Sequence, residues 1–120
     1  MGRKNNVVRE RSFSFAIRIV KLYQYLCTEK REFVLVRQVL KSGTSVGANI
    51  EEADSSISKK EFSSKISIAY KEAKETHYWL RLLVATGYIN QKEFDSLFQD
   101  CEEICKLLFA ILRTTRINKS

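Results

Sequence analysis

The sequence predicts an all-α protein: an antiparallel up-down-up-down four-helix bundle, with residues 1–120 as a single domain. Three observations predict it. Apolar residues recur at alternating three- and four-residue steps over four long segments, the packing period of left-handed bundles. No proline and only four glycines occur in 120 residues, so little breaks a helix or marks a tight hairpin. The segments are joined by short connections, which make consecutive helices antiparallel neighbours. A second independent core would be too small to stabilise at this length.

The first segment runs from about Ser12 to Glu29 and carries two apolar stripes. Phe13, Ala16, Val20, Tyr23 and Cys27 form one, read here as the core stripe; Phe15, Ile19, Leu22 and Leu26 form its neighbour. A helix apolar over so wide an arc needs more than one surface to pack against. Residues 1–11 are expected to be a loosely ordered basic N-terminal segment. The second segment starts near Glu32 and continues to about Asp54, with Phe33, Val36, Leu40, Gly43, Gly47 and Ile50 on one face. Each internal glycine costs about 1 kcal/mol relative to alanine, which close approach of another helix explains. A phosphate-cradling loop is the competing reading, but a Walker lysine pattern and a preceding strand are both absent.

Ser58-Lys59-Lys60-Glu61 reads as a capping box opening the third segment. Phe62, Ile66, Ala69, Ala73, Thr76, Leu80 and Leu83 then alternate threes and fours without a slip, and Gly87 supplies the stop. Asn90 to Glu93 resembles a second capping box, followed by Phe94, Leu97, Cys101, Ile104, Leu108 and Ile111.

In this topology the chain start, the second connection and the chain end meet at one end of the bundle. Arg3, Lys4, Arg9, Arg11, Lys59, Lys60, Lys65, Arg113, Arg116 and Lys119 gather there against Glu10, Glu51, Glu52, Asp54 and Glu61, leaving +5 of the chain's +7. Such a concentration is the footprint of a polyanion site, or else merely the solubilising charge of two frayed termini. Arg9, Arg11, Lys59, Lys60, Arg113 and Arg116 lie nearest the expected helix ends and are the candidate nucleic-acid contacts. Glu51, Glu52 and Asp54 are expected to pair with Lys59, Lys60 or Lys65 rather than to hold a metal.

Trp79 and Leu82 lie off the core stripe of the third segment, as Phe15 and Leu22 lie off the stripe assigned to the core in the first. These four are the candidate oligomer interface, since one bundle does not bury them all. Trp79 and Tyr78 also have the chemistry to stack on bases.

No catalytic constellation is apparent, and no enzyme activity, cofactor or metal is expected. The sole histidine, His77, follows Lys74 at the spacing where a di-metal bundle places Glu-x-x-His. Cys27, Cys101 and Cys105 fall on apolar stripes and are read as buried, reduced thiols, in keeping with a reducing compartment. The polar opening residues lack the apolar core of a signal peptide, and no apolar run reaches the roughly 20 residues of a membrane span, so a cytoplasmic location without membrane contact is expected.

Two runs are similar to a known family. Ser42-Gly43-Thr44-Ser45-Val46-Gly47-Ala48-Asn49-Ile50-Glu51-Glu52-Ala53 resembles the signature of the bacterial four-helix-bundle proteins encoded in 23S rRNA intervening sequences, and Ser67 to Leu83 resembles the same family. Where many members have Asn-Ile-Ala-Glu-Gly, this chain has Asn49-Ile50-Glu51-Glu52-Ala53. The resemblance implies a bacterial protein forming ring-like homo-oligomers, pentamers in particular. It also implies kinship with accessory proteins of diversity-generating retroelements, which bind nucleic acid and a reverse transcriptase. The function expected is therefore a non-enzymatic, homo-oligomeric bundle that binds RNA or DNA through a basic surface. The alternative is a protein–protein scaffold without nucleic-acid contact.

Overall fold

The computed structural model describes residues 3–118, with side-chain environments over residues 5–115. Four helices, α1 (Arg3–Glu29), α2 (Leu35–Asp54), α3 (Lys59–Ala85) and α4 (Gln91–Asn118), account for nearly all of them, and no strand occurs among the described residues. Each helix packs on its two neighbours around the bundle, α1 on α2 and α4, and α3 on α2 and α4. Cross-helix pairs give the directions. Arg11 meets Glu103 while Arg18 meets Asp100, and Lys65 meets Glu52 while Thr76 meets Ser42. Partner numbers fall as the first number rises, so these neighbours are antiparallel.

Local chemistry sets the helix ends. The Ser58 hydroxyl accepts from the Glu61 amide at 3.0 Å, while the Glu61 carboxylate turns back to the Ile57 amide. Asn90 and Glu93 form the complete reciprocal box, at 2.8 and 3.0 Å. Gly87, at φ +82°, ends α3 as its position predicted; its amide donates to Val84 O and that of Tyr88 to Leu83 O. Helix α2 starts later than the sequence indicated because Glu32 acts as its cap. The Glu32 carboxylate accepts from the amides of Val34, Leu35 and Val36, at 3.3, 2.9 and 2.9 Å. Three donors that a helix start leaves open are thereby satisfied. At its other end α2 reaches Asp54 without the family's glycine.

The core differs from the expectation in α1 and α2. Phe15, Ile19, Leu22 and Leu26 point inward, whereas Phe13 is 66% exposed and Val20 also faces solvent. Both stripes have helical spacing, so periodicity could not rank them; α2 decides, because Gly43 receives Ile19 and Gly47 receives Ser12. In α2 the inward set is Val36, Val39, Gly43, Val46, Ile50 and Ala53, with Phe33 outside. The stripes expected in α3 and α4 are the ones observed, with Phe62 and Phe94 at their half-buried ends. Residues 3–11, expected to be loose, form the first turns of α1. Val8 is buried there, and Arg9 and Arg11 are tied to α2 and α4.

Candidate functional site

The basic end is built where the start of α1, the α2–α3 turn and the last turns of α4 come together. Its charges divide into two groups. Arg9 donates through Nε and Nη2 to Glu51, both at 3.3 Å, and its Nη1 lies 3.2 Å from Asp54. Arg11 is paired with Glu103, and Lys65 with Glu52 at 2.7 Å. Hydrogen bonding to Glu51 and Glu52 pushes the Arg9 and Lys65 pKa values up, so these cations stay charged but are already matched. The expected pairing of the acidic step with nearby lysines thus holds for Glu52 and Lys65, whereas Glu51 and Asp54 turn to Arg9.

Lys59, Lys60 and Arg113 form the second group. All three are exposed and have no ion-pair partner among the described residues. Lys59 lines an open hollow of about 350 Å³ together with Asp54, Ile57, Phe62, Thr114 and Thr115. The side chain of Arg116, also expected here, lies outside the described residues.

A feature the sequence did not reveal continues from this end. Between α3 and α4 runs a groove of about 390 Å³, lined by Tyr70, Lys74, Glu102, Cys105, Lys106, Phe109, Ala110 and Arg113. Lys106, Phe109 and Arg113 give one edge of α4 a cationic and aromatic character, and Tyr70 and Lys74 do the same for α3, with Glu102 the one acid among the lining residues. Lys74 Nζ stands 5.9 Å from the Tyr70 ring centroid, and the Tyr70 and Phe109 rings are 6.0 Å apart. Phe109 is half exposed. No motif spacing advertises this groove, because its residues come from two helices with opposite chain directions.

Below the groove, His77 of α3 meets Cys101 and Cys105 of α4. One ligating atom from each lies within 4.8 Å of the others, and all three residues are buried. Burial pushes the His77 imidazole pKa down, opposed in part by Glu102 and reinforced by Lys74. The two thiols are close enough to bias each other, Cys105 below and Cys101 above the ordinary thiol value. The Cys101 S–H donates to Ala73 O at 3.3 Å. The thiols are free, as is the half-buried Cys27.

The four residues expected at an oligomer interface are dispersed. Phe15, 1% exposed, and Leu22 belong to the chain's own core and are unavailable to a neighbour. The expectation fails for them because the inward stripe of α1 is the one they occupy. Trp79 and Leu82 are half buried on α3, where Trp79 Nε1 donates to Glu75 at 3.3 Å and its ring meets Tyr78 edge-on. The unpartnered apolar face of α1 is instead Phe13, Ile17 and Val20. Among the described residues no helix is long and apolar enough to cross a membrane.

Four helices around one aliphatic core, with a basic end and no strand among the described residues, define a four-helix-bundle protein. The chain belongs to the 23S rRNA-intervening sequence protein family, which it matches over residues 4–110. It is similar to the crystal structure of a protein of unknown function from the S23 ribosomal protein family from Bacteroides thetaiotaomicron VPI-5482. The two share 50% identity with a TM-score of 0.91, over 92% of this chain and 98% of that one. Neither description names an enzymatic activity. No curated protein matches the chain.

Proposed function

We propose that this protein is a non-enzymatic bundle that assembles with copies of itself and binds RNA or DNA. The surface would be the free cations of the basic end and the adjoining α3–α4 groove. The observation that carries the reading is the juxtaposition of unmatched cations with partly exposed aromatic rings along one groove. Arg9, Arg11 and Lys65 are neutralised by acids, but Lys59, Lys60, Lys106 and Arg113 have no acidic partner among the described residues. Free cations beside the partly exposed rings of Tyr70 and Phe109 supply phosphate attraction together with faces on which bases stack. A ring of copies, pentameric as the family resemblance implies, presents the same surface repeatedly, so modest contacts add by multivalency.

Fluorescence anisotropy of the intact oligomer against single- and double-stranded RNA and DNA, across a salt series, tests this reading. About four neutralised phosphates give a log–log salt slope of roughly −3 to −4, with little sequence preference. Absence of binding at low salt overturns it. A scaffold whose contacts run through Phe13, Ile17 and Val20 is then the better description.

A further inference from the structure

The His77, Cys101 and Cys105 cluster lies beneath the α3–α4 groove, which it meets only through Cys105, and is ill suited to simple packing. Its neighbours on the α3 and α4 stripes include the apolar, buried Ala73, Leu80, Ile104 and Leu108, and the one buried polar neighbour on the α3 stripe, Thr76, is hydrogen-bonded to Ser42. An aliphatic residue at position 77 would complete that interior. The imidazole Nε2 is instead out of contact with solvent and has no hydrogen-bond partner among the described residues. Leaving a buried polar atom unsatisfied costs about 1–3 kcal/mol, so the histidine is a net burden unless something binds it. The neighbouring thiols do not relieve Nε2, and the nearest carboxylate oxygen, Oε2 of Glu102, stands at 3.6 Å.

We propose that these residues hold one zinc-class divalent ion per chain, ligated by a ring nitrogen of His77 and by Sγ of Cys101 and Cys105, with the Glu102 carboxylate as fourth ligand. Several observations carry the assignment. Cys101 and Cys105 are one helical turn apart and so share a face of α4, while Glu102 is the adjacent residue on the same turn. The imidazole is held in place by stacking on Phe98, with ring centroids 4.3 Å apart. Tetrahedral zinc with bonds of about 2.0–2.3 Å needs ligand atoms roughly 3.5–3.8 Å apart. The three atoms already lie within 4.8 Å of one another, which small side-chain rotations close. Two thiolates, an imidazole and one carboxylate select zinc over magnesium or calcium, which take oxygen ligands.

The ion also has a way in, because Cys105 and Glu102 both line the open α3–α4 groove. On binding, two S–H protons leave to solvent as two sulfur–metal bonds form, and the neutral imidazole donates its lone pair. A site filled by four protein ligands is structural: it would clamp the middle of α3 to α4. It does not depend on nucleic-acid binding, which would use the side chains above it.

The test uses the full chain, reduced with a non-thiol reductant and stripped of metal by chelation. Titration with cobalt(II) should saturate at one equivalent per chain, with a thiolate-to-cobalt charge-transfer band and the intense visible bands of tetrahedral cobalt. Zinc should bleach both and raise the Tm. Cys105→Ser and His77→Gln should each weaken binding at least about tenfold, and Glu102→Gln should weaken it to a smaller degree. Cys27→Ser should leave it unchanged. Far-UV circular dichroism of the metal-free variants separates failed ligation from failed folding. The proposal is overturned if no thiolate–cobalt band forms, or if the band survives unchanged in folded Cys105→Ser and His77→Gln proteins.

Discussion

A Cβ built on Gly43 would stand 2.9 Å from Cγ1 of Ile19, so α1 and α2 cross here as closely as a glycine allows. Ile19 is β-branched and fully buried, and its Cγ atoms cannot swing aside. Gly43→Ala is therefore expected to lower stability by about 1–3 kcal/mol through overpacking, against which the helix-propensity gain of about 1 kcal/mol only partly counts. Ile19→Val keeps both Cγ atoms and removes only Cδ1, at 3.3 Å, so it should recover little of the loss in the double variant. At Gly47 the nearest atoms to such a Cβ are those of Ser12, at 3.5 Å, an ordinary separation. Gly47→Ala should therefore be neutral or stabilising, and urea denaturation of the three variants ranks them.

The Glu32 cap yields a second prediction. Three amides converge on one carboxylate that is itself buried against the start of α2. Glu32→Ala is expected to cost about 1.5–3 kcal/mol, because donors lose a charged acceptor. Glu32→Gln, which keeps one acceptor oxygen, should cost about half of that. A thermal melt in which Glu32→Ala matches the parent would show that water caps the helix equally well.

Self-association is expected to run through the outer face of α1. Phe13→Glu combined with Ile17→Glu should reduce the mass measured by light scattering while leaving helical circular dichroism intact, since neither side chain belongs to the core. Phe15→Glu should instead unfold the chain, by burying a charge among Ile19, Leu22 and Leu26. An unchanged mass for the Phe13 and Ile17 variant would move the interface to α3, where Ile68 and Tyr78 are also exposed.

For nucleic acid, the paired and unpaired cations should behave differently. Charge reversal at Lys59, Lys60, Lys106 and Arg113 should weaken binding across all sequences and make the salt slope shallower by about 0.9 for each phosphate no longer neutralised. Arg11→Gln, whose charge Glu103 already offsets, should change the slope little. Equal effects in anisotropy titrations would mean that overall net charge, not this surface, governs the affinity.

Much of the architecture was legible because it is local. The two boxes at Ser58 and Asn90, the stop at Gly87 and the unbroken stripes from Phe62 to Leu83 and Phe94 to Ile111 depend on hydrogen bonds and spacings within one helix. Of the candidate site, Lys59, Lys60 and Arg113 were found with their charges free, but Arg9 and Arg11 were not. Their acids lie in other helices, 42 and 92 residues away, and only the packed bundle decides which acid reaches which base.

The same division explains α1. Residue spacing by itself determined that α1 is a helix with apolar residues around most of its circumference. It could not determine which stripe is buried, because Phe13–Val20 and Phe15–Leu22 have the same period. The choice is a property of the partner surface, where Gly43 and Gly47 leave room for Ile19 and Ser12. Likewise the composition showed one histidine and three cysteines, but bringing His77 to Cys101 and Cys105 required α3 and α4 to run antiparallel and in register. Periodicity belongs to a single helix, whereas the inward face, the neutralised charges and the His77, Cys101 and Cys105 cluster belong to pairs of helices and exist only once these have packed.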